Sequence, residues 1–153
     1  MLLVALAALV LAERPLPFEF RQRLGAFGWY ANATVQETEI LENRYAPASV
    51  GKQFTGVPAT LFNLGFDVTW QAFSFALDGR SQDKAYRNDD NGDTVNGVYG
   101  GTDPRTTWNA KVRWKAMPSL ELSLAVDNLF DRRFYDFYRG PGRSYLLQAR
   151  ASY

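Results

Sequence analysis

The C-terminal residues 143–153, RSYLLQARASY, restrict what this chain can fold into more than any other stretch. Tyr145, Leu147, Ala149, Ala151 and Tyr153 share one parity, while Ser144, Gln148, Arg150 and Ser152 take the other together with Leu146. A strand sends successive side chains to opposite faces. This segment therefore has an apolar face with an aromatic at each end, and a face that is polar apart from Leu146. At ~3.3 Å per residue the two tyrosines stand roughly 26 Å apart. Tilted by ~40°, that covers about 20 Å of height, close to the apolar band between the aromatic girdles of a transmembrane barrel.

The same period recurs along the chain. In residues 26–36 Phe27, Trp29, Ala31, Ala33 and Val35 oppose Gly28, Tyr30, Asn32, Thr34 and Gln36. In residues 60–70 Phe62, Leu64, Phe66, Val68 and Trp70 oppose Asn63, Gly65, Asp67 and Thr69. Residues 72–78 continue with Phe73, Phe75 and Leu77, and residues 105–116 set Trp108, Ala110, Val112, Trp114 and Ala116 against Asn109, Lys111, Arg113 and Lys115. Leu120, Leu122, Leu124 and Val126 then alternate with Glu121, Ser123 and Asp127. With the terminal segment this predicts about six strands, and no helical period competes.

The connections alternate in length. Trp70-Gln71-Ala72 and Met117-Pro118-Ser119 are tight, whereas residues 42–57, 87–104 and 131–142 are long and polar or glycine-rich. Short turns at one end and long loops at the other form the outer-membrane pattern, with the turns periplasmic. Counted back from Tyr153, this puts Trp29, Trp70, Trp114 and Tyr153 near the periplasmic strand ends on the apolar face, as one aromatic girdle. A sheet packed on one face in a soluble sandwich also alternates, but nothing in that fold requires the aromatics to agree on a level.

Composition removes whole classes of chemistry. The 153 residues contain no Cys and no His, which excludes thiol chemistry, disulfides, histidine metal sites and His-dependent triads. A formal charge of +1 gives no reason to expect a nucleic-acid partner. Aromatics make up 15%, which suits interfacial girdles, and a mean hydropathy of −0.28 argues against helical spans but not against alternating strands. The carboxylates are scattered, so no catalytic constellation emerges, and no enzyme activity, cofactor or metal is expected. The N-terminal run MLLVALAALVLA is too short to span as a helix. It reads as an atypical export signal or as the start of a fragment, leading through a linker to residue 23, with the barrel portion over residues 24–153.

Three blocks carry a family resemblance. Residues 125–135, AVDNLFDRRFY, resemble the "xVxNLFDxxY" signature in the penultimate strand of TonB-dependent outer-membrane receptors. Gly140-Pro141-Gly142-Arg143-Ser144-Tyr145 is similar to the family's "PGRxx" lead into its closing strand. Gly56-Val57-Pro58-Ala59-Thr60 with Asn63-Leu64-Gly65 resembles "GVPxHxxNLG", with Thr60 where a basic or polar residue is common. Order and spacing agree, so the resemblance covers residues 24–153.

The resemblance implies an all-β, antiparallel transmembrane barrel segment, the C-terminal part of a barrel of about 22 strands. It implies the outer membrane of a Gram-negative bacterium and uptake of a ferric siderophore or similar nutrient chelate, with energy transmitted by TonB. It also implies partners beyond this chain: membrane lipid, the missing N-terminal strands, a plug domain, and TonB acting through that plug. About six strands without a plug read as a receptor fragment, from a truncated gene, a split gene or an incomplete chain. The closing strand's Tyr145, Leu147 and Tyr153 would form the assembly signal read by the insertion machinery.

Within that frame Asn109, Lys111, Arg113 and Lys115 would face the lumen. They would border the ligand path or pair with carboxylates of the plug and of neighbouring strands such as Glu121 and Asp127. Tyr45, Tyr86, Tyr99, Tyr138 and Arg139 lie in or beside the long loops, as ligand contacts or as packing between loops. Asn88-Asp89-Asp90-Asn91-Gly92-Asp93 has the oxygen-rich look of a calcium loop without EF-hand order, and reads equally as a solvated loop. The alternatives are a small standalone outer-membrane β-protein with a structural or adhesive role, oligomerising through its edges, and a soluble binding barrel.

Overall fold

A computed structural model of the chain describes residues 9–12 and 16–152, and the side chains from residue 17 onward. The strands are β1 (Leu9–Ala12), β2 (Leu16–Leu24), β3 (Phe27–Val35), β4 (Thr38–Glu42), β5 (Thr60–Trp70), β6 (Phe73–Gln82), β7 (Arg105–Met117), β8 (Leu120–Asp127), β9 (Tyr135–Asp136), β10 (Tyr138–Arg139) and β11 (Ser144–Ala151). The only helical piece among them is a 3-10 turn, Pro47–Ser49. No described helix is long and apolar enough to cross a membrane, which leaves crossing by strands untouched. The expected signal run lies partly outside the described residues, and Tyr153 lies wholly outside them.

Seven strands form one antiparallel sheet in the order β11-β8-β7-β6-β5-β3-β2. All six alternating segments are there. The seventh, β2, lies where the alternation suggested a linker, and it pairs with β3 from Leu16↔Val35 to Leu24↔Phe27. Two residues hid it. Pro17 breaks the strand signal, yet β2 is an edge, where a missing N–H costs no ladder bond. Gln22 interrupts the apolar parity, and the Trp29 Nε1–H donates to its Oε1 at 3.3 Å. Beyond the break at Gln36-Glu37, β1 and β4 carry the same hairpin further toward the loop side, pairing Ala12 with Thr38.

The register puts apolar residues of adjacent strands opposite one another across the whole sheet. One row runs Trp29↔Phe66↔Leu77↔Ala110↔Val126↔Tyr145. The opposite face carries Arg23↔Gly28↔Asp67↔Ala76↔Lys111. Successive hairpins are staggered: Phe27 pairs with Val68 while β5 runs on to Trp70, and Phe73 pairs with Trp114 while β7 runs on to Met117. Such stagger tilts strands against a common turn-side level, as barrel shear requires.

Among the described residues no second layer covers this sheet. The buried apolar side chains among the described residues are Ile40 and Ala85, both on the loop side. Phe20, Phe27, Phe62, Val68, Phe75, Val112 and Leu124 stay exposed along one face. A soluble sandwich or barrel would bury that face against itself, whereas a contiguous apolar surface of this extent marks contact with another apolar phase. The soluble reading is therefore set aside.

At the turn side Trp70 pairs with Phe73, and the Phe73 and Trp114 rings stack at 6.0 Å and 8°. The Phe20 and Trp29 rings sit 4.6 Å apart. The strand β6 extends past Asp78, where the sequence pattern fades, because Trp108 of β7 lies over Gly79 and restores the apolar surface the glycine lacks.

Candidate functional site

The polar face is cross-linked in its middle and open in its charge balance near the turns. Arg23 of β2 reaches over β3 to Asp67 of β5 at 2.8 Å. The residue between them is Gly28, where a Cβ would stand 2.5 Å from Asp67 Oδ1, so the bridge exists only because that position has no side chain. Asn63 donates to Asn32 at 2.6 Å and Asn109 donates to Asp78 at 2.9 Å.

The four lumen candidates separate under this geometry. Asn109 is half-buried and has both ends of its amide engaged: Nδ2 donates to Asp78, and Oδ1 accepts the backbone N–H of Asn128 at 3.0 Å. Lys111, Arg113 and Lys115 are exposed. Arg113 stands 3.8 Å from Glu121, while Lys111 and Lys115 form no ion pair among the described residues. A fourth cation joins them through the ladder, since Arg150 of β11 pairs with Glu121 and Glu121 with Lys115. Lys111, Arg113, Glu121, Ser123, Gln148 and Arg150 line a depression of about 420 Å³. Its lining sets three cations, Lys111, Arg113 and Arg150, around one carboxylate, Glu121. Arg150 was legible as a polar-parity residue, but only the register brings it here.

At the other end the long loops are welded together. Residues 83–104 form the keystone. The Asn91 side chain bonds the backbone of Gln53 in both directions, and the Gly56 N–H donates to the Tyr86 carbonyl at 2.7 Å. On the far side Asp103 is buried, its carboxylate accepting the N–H of Gly97 at 2.9 Å and of Tyr135 at 2.8 Å. Asp136 bridges Arg87 at 3.1 Å and Arg105 at 3.0 Å. Asp103, Asp136 and Arg105 had no signal in the sequence, because each works through a partner in a distant segment.

Of the loop candidates, Tyr99 and Tyr138 come together around Phe137, with centroids 5.2, 5.6 and 5.0 Å apart and edge-on geometry. Arg87 lies over the Phe137 ring at 5.2 Å. Phe137 sits at φ 64, an outlier that no alternation rule could orient. Arg139 is exposed on the short β9–β10 ladder beside this cluster. Tyr86 is half-buried at the joint between loops, and Tyr45 stands apart and exposed in the first loop. Within the oxygen-rich residues 88–93, Asn91 turns its amide oxygen to the Gln53 N–H and the carboxylates of Asp90 and Asp93 serve the loop itself. Asp93 accepts the N–H groups of Arg87 and Asn88, and Asp90 accepts that of Gly92. Among the described residues no group of metal-ligating side chains assembles.

The recognisable motifs prove to be a clamp. Asn128, buried at φ 50, accepts the Arg132 N–H on Oδ1 and donates from Nδ2 to the carbonyls of Arg132 and Pro141. Asp131 Oδ1 accepts the Arg143 N–H at 2.9 Å. The Phe134 ring occupies the space where a Cβ on Gly140 would be, and Arg105 covers the ring at 4.6 Å. The asparagine and aspartate of one block thus fasten the other block, and the loop leaves and rejoins the sheet at one point. Of the closing-strand residues, Tyr145 and Leu147 lie exposed on the apolar face. The hydrogen bond to the Tyr145 hydroxyl raises the Arg143 pKa above its ordinary value.

A family model described as "TonB dependent receptor-like, beta-barrel" matches residues 9–129. Among solved structures, the unliganded ferric citrate transporter FecA aligns with TM-score 0.74 at 22% identity, over 89% of this chain and 23% of that one. The siderophore receptor PiuA from Acinetobacter baumannii aligns with TM-score 0.71 at 19% identity, over 87% and 21%. The ferric yersiniabactin uptake receptor FyuA from Yersinia pestis aligns with TM-score 0.64 at 20% identity, over 88% and 21%. The chain spans less than a quarter of each of these proteins. None of the curated proteins matches it by sequence.

Proposed function

The chain belongs to the TonB-dependent receptor-like β-barrel family, and on that premise we propose that it forms part of the wall of an outer-membrane receptor for nutrient uptake. The matched family and the aligned structures are transport receptors, not enzymes. The observation that carries the reading is the single-layer sheet, apolar on one face and polar on the other, with no core of its own among the described residues. The polar face would then look into a lumen and the apolar face into lipid. The cargo is a ferric siderophore or a similar anionic chelate, and TonB supplies the energy through a plug domain that occupies the lumen. Lys111, Arg113 and Lys115, joined by Arg150, line the ligand path or hold the plug there. Tyr99, Tyr138 and Arg139 offer flat area and charge at the mouth.

Closure needs further strands. An open edge in hydrocarbon leaves backbone groups unpaired at several kcal/mol each. Both edges, β2 and β11, run from the loop side to the turn side. Copies inserted in the same sense would therefore meet edge to edge in parallel, against the antiparallel pairing of every other strand. This favours a receptor wall completed by other strands over a standalone protein that oligomerises through its edges.

The test is the native species recognised by an antibody to residues 143–153 in outer-membrane fractions, with and without boiling. A heat-modifiable band several times larger than 17.3 kDa is expected. A band at 17.3 kDa in the membrane would favour the standalone protein, and a soluble species would overturn both.

A further inference from the structure

Residues 83–104 contain the dipeptide Asn-Gly twice, at Asn91-Gly92 and at Asn96-Gly97. Asparagine before glycine is the pair most open to self-modification, because no Cβ keeps the glycine nitrogen from the preceding side-chain amide. The loop treats its two pairs differently. Asn91 turns its amide into the joint with Gln53: Oδ1 accepts the Gln53 N–H at 2.8 Å, and Nδ2 donates to the Gln53 carbonyl at 2.9 Å. Attack on that amide would first have to break both bonds.

Asn96 has the opposite surroundings. It is exposed, and among the described residues its side chain is met by Lys84, whose Nζ donates to Oδ1 at 3.1 Å. An ammonium on a carbonyl oxygen draws charge from the carbon and stabilises the oxyanion that forms when that carbon is attacked. The nucleophile is prepared as well. The Gly97 N–H donates at 2.9 Å to Oδ1 of Asp103, a buried carboxylate whose Oδ2 is fixed by the Tyr135 N–H. A carboxylate at that distance is placed to take the proton as the nitrogen attacks. Gly97 holds φ 76, and a Cβ built there would meet nothing within 4 Å, so the space around it is open. Gly92 also gives its N–H to a carboxylate, that of Asp90 at 2.8 Å. The two pairs therefore differ in the amide and not in the base.

We propose that Asn96-Gly97 is a site of self-catalysed deamidation, with Lys84 polarising the amide and Asp103 taking the proton. The Gly97 nitrogen attacks Asn96 Cγ, and the new C–N bond closes a cyclic imide. The Cγ–Nδ2 bond breaks, and ammonia leaves with the proton that Asp103 received. Water then opens the imide at either carbonyl, leaving aspartate or isoaspartate at position 96. Both products bring a negative charge into the loop that holds Lys84. The isoaspartyl form also lengthens the main chain by a methylene just before Tyr99 and its aromatic cluster. The reaction needs only the loop, so it stands apart from the uptake reading.

The experiment follows both pairs in the native protein purified from cells, incubated at neutral pH and sampled over time by peptide mass mapping with isoaspartate detection. Asn96 is expected to convert at least about tenfold faster than Asn91, the reference within the same molecule. In the chain unfolded by urea the two are expected to convert alike. Lys84→Gln keeps a donor but removes the charge, and is expected to slow Asn96 at least about fivefold with Asn91 unchanged. No conversion at Asn96, conversion of Asn91 at the same rate, or an equal preference in urea overturns the site. An unchanged rate in Lys84→Gln overturns the part given to the lysine. A Lys84–Asn96 cross-link in place of the aspartyl forms overturns the nucleophile, since the lysine would then have attacked instead of Gly97.

Discussion

The two ends of the sheet are held by different physics. At the turn side the chain reverses through pairs of residues, Gly25-Ala26, Gln71-Ala72 and Pro118-Ser119, and stability comes from neighbouring rungs and a line of stacked aromatics. At the loop side three long segments are joined by buried or half-buried polar groups: Asn91 on Gln53, Asp103 on Gly97 and Tyr135, and Asn128 on Arg132 and Pro141. The turn side needs only pairing between neighbouring strands. The loop side needs contacts between segments as distant as the 49 positions separating Arg87 from Asp136. In the proposed receptor wall, that division lets the loops vary while the sheet beneath keeps one register.

Substitutions can break this contrast, and the largest effect is expected midway between the ends. Leu124→Arg places a charge on the apolar row of the sheet and is expected to lower stability in bilayers by ~2–4 kcal/mol, read from denaturant titration of the membrane-inserted protein. Ser123→Arg, on the opposite face, is expected to do little, and equal tolerance at the two sites would refute the face assignment. At the loop side Asp103→Ala leaves two backbone N–H groups without their acceptor, and should loosen residues 95–104 and 134–139 by ~2–3 kcal/mol. Hydrogen exchange is expected to rise there while β5 and β6 stay protected. Uniform loosening of the sheet would mean that the two ends are coupled after all.

Two smaller changes sharpen the contrast within the sheet. Gly28→Ala obstructs the bridge from Arg23 to Asp67, whose members are well exposed, so a loss of only about 0.5–1 kcal/mol is expected. In a double-mutant cycle the Arg23–Asp67 coupling should vanish in the Gly28→Ala background; persistence of that coupling would show another route between β2 and β5. At the turn, Gln71 holds φ 52 without being glycine. Gln71→Gly should therefore stabilise by roughly 0.5–1 kcal/mol, seen as a small rise in melting temperature with no change at the loops.

The sheet was largely legible because a strand's faces depend on residues two positions apart, and that spacing can be counted without a partner. Six strands, their faces and two tight turns followed from it. The pattern failed at Pro17 and Gln22 in β2 and at Gly79 in β6, where a neighbouring strand supplies what the residue lacks: Trp29 satisfies Gln22, and Trp108 covers Gly79. The lumen candidates were readable as a polar row, yet Asn109 spends its amide on Asp78 and Asn128 while Arg150 arrives from β11.

By itself the sequence determined the period, the two-faced sheet, the alternation of short and long connections and the family motifs, all of which are local properties of a strand or a turn. Only the tertiary structure decided which carboxylate meets which amide and where positive φ turns Asn128, Asp131 and Phe137. Those outcomes depend on loop segments that touch far along the chain. Hydrogen bonds of that kind follow from three-dimensional register, and no periodicity encodes it.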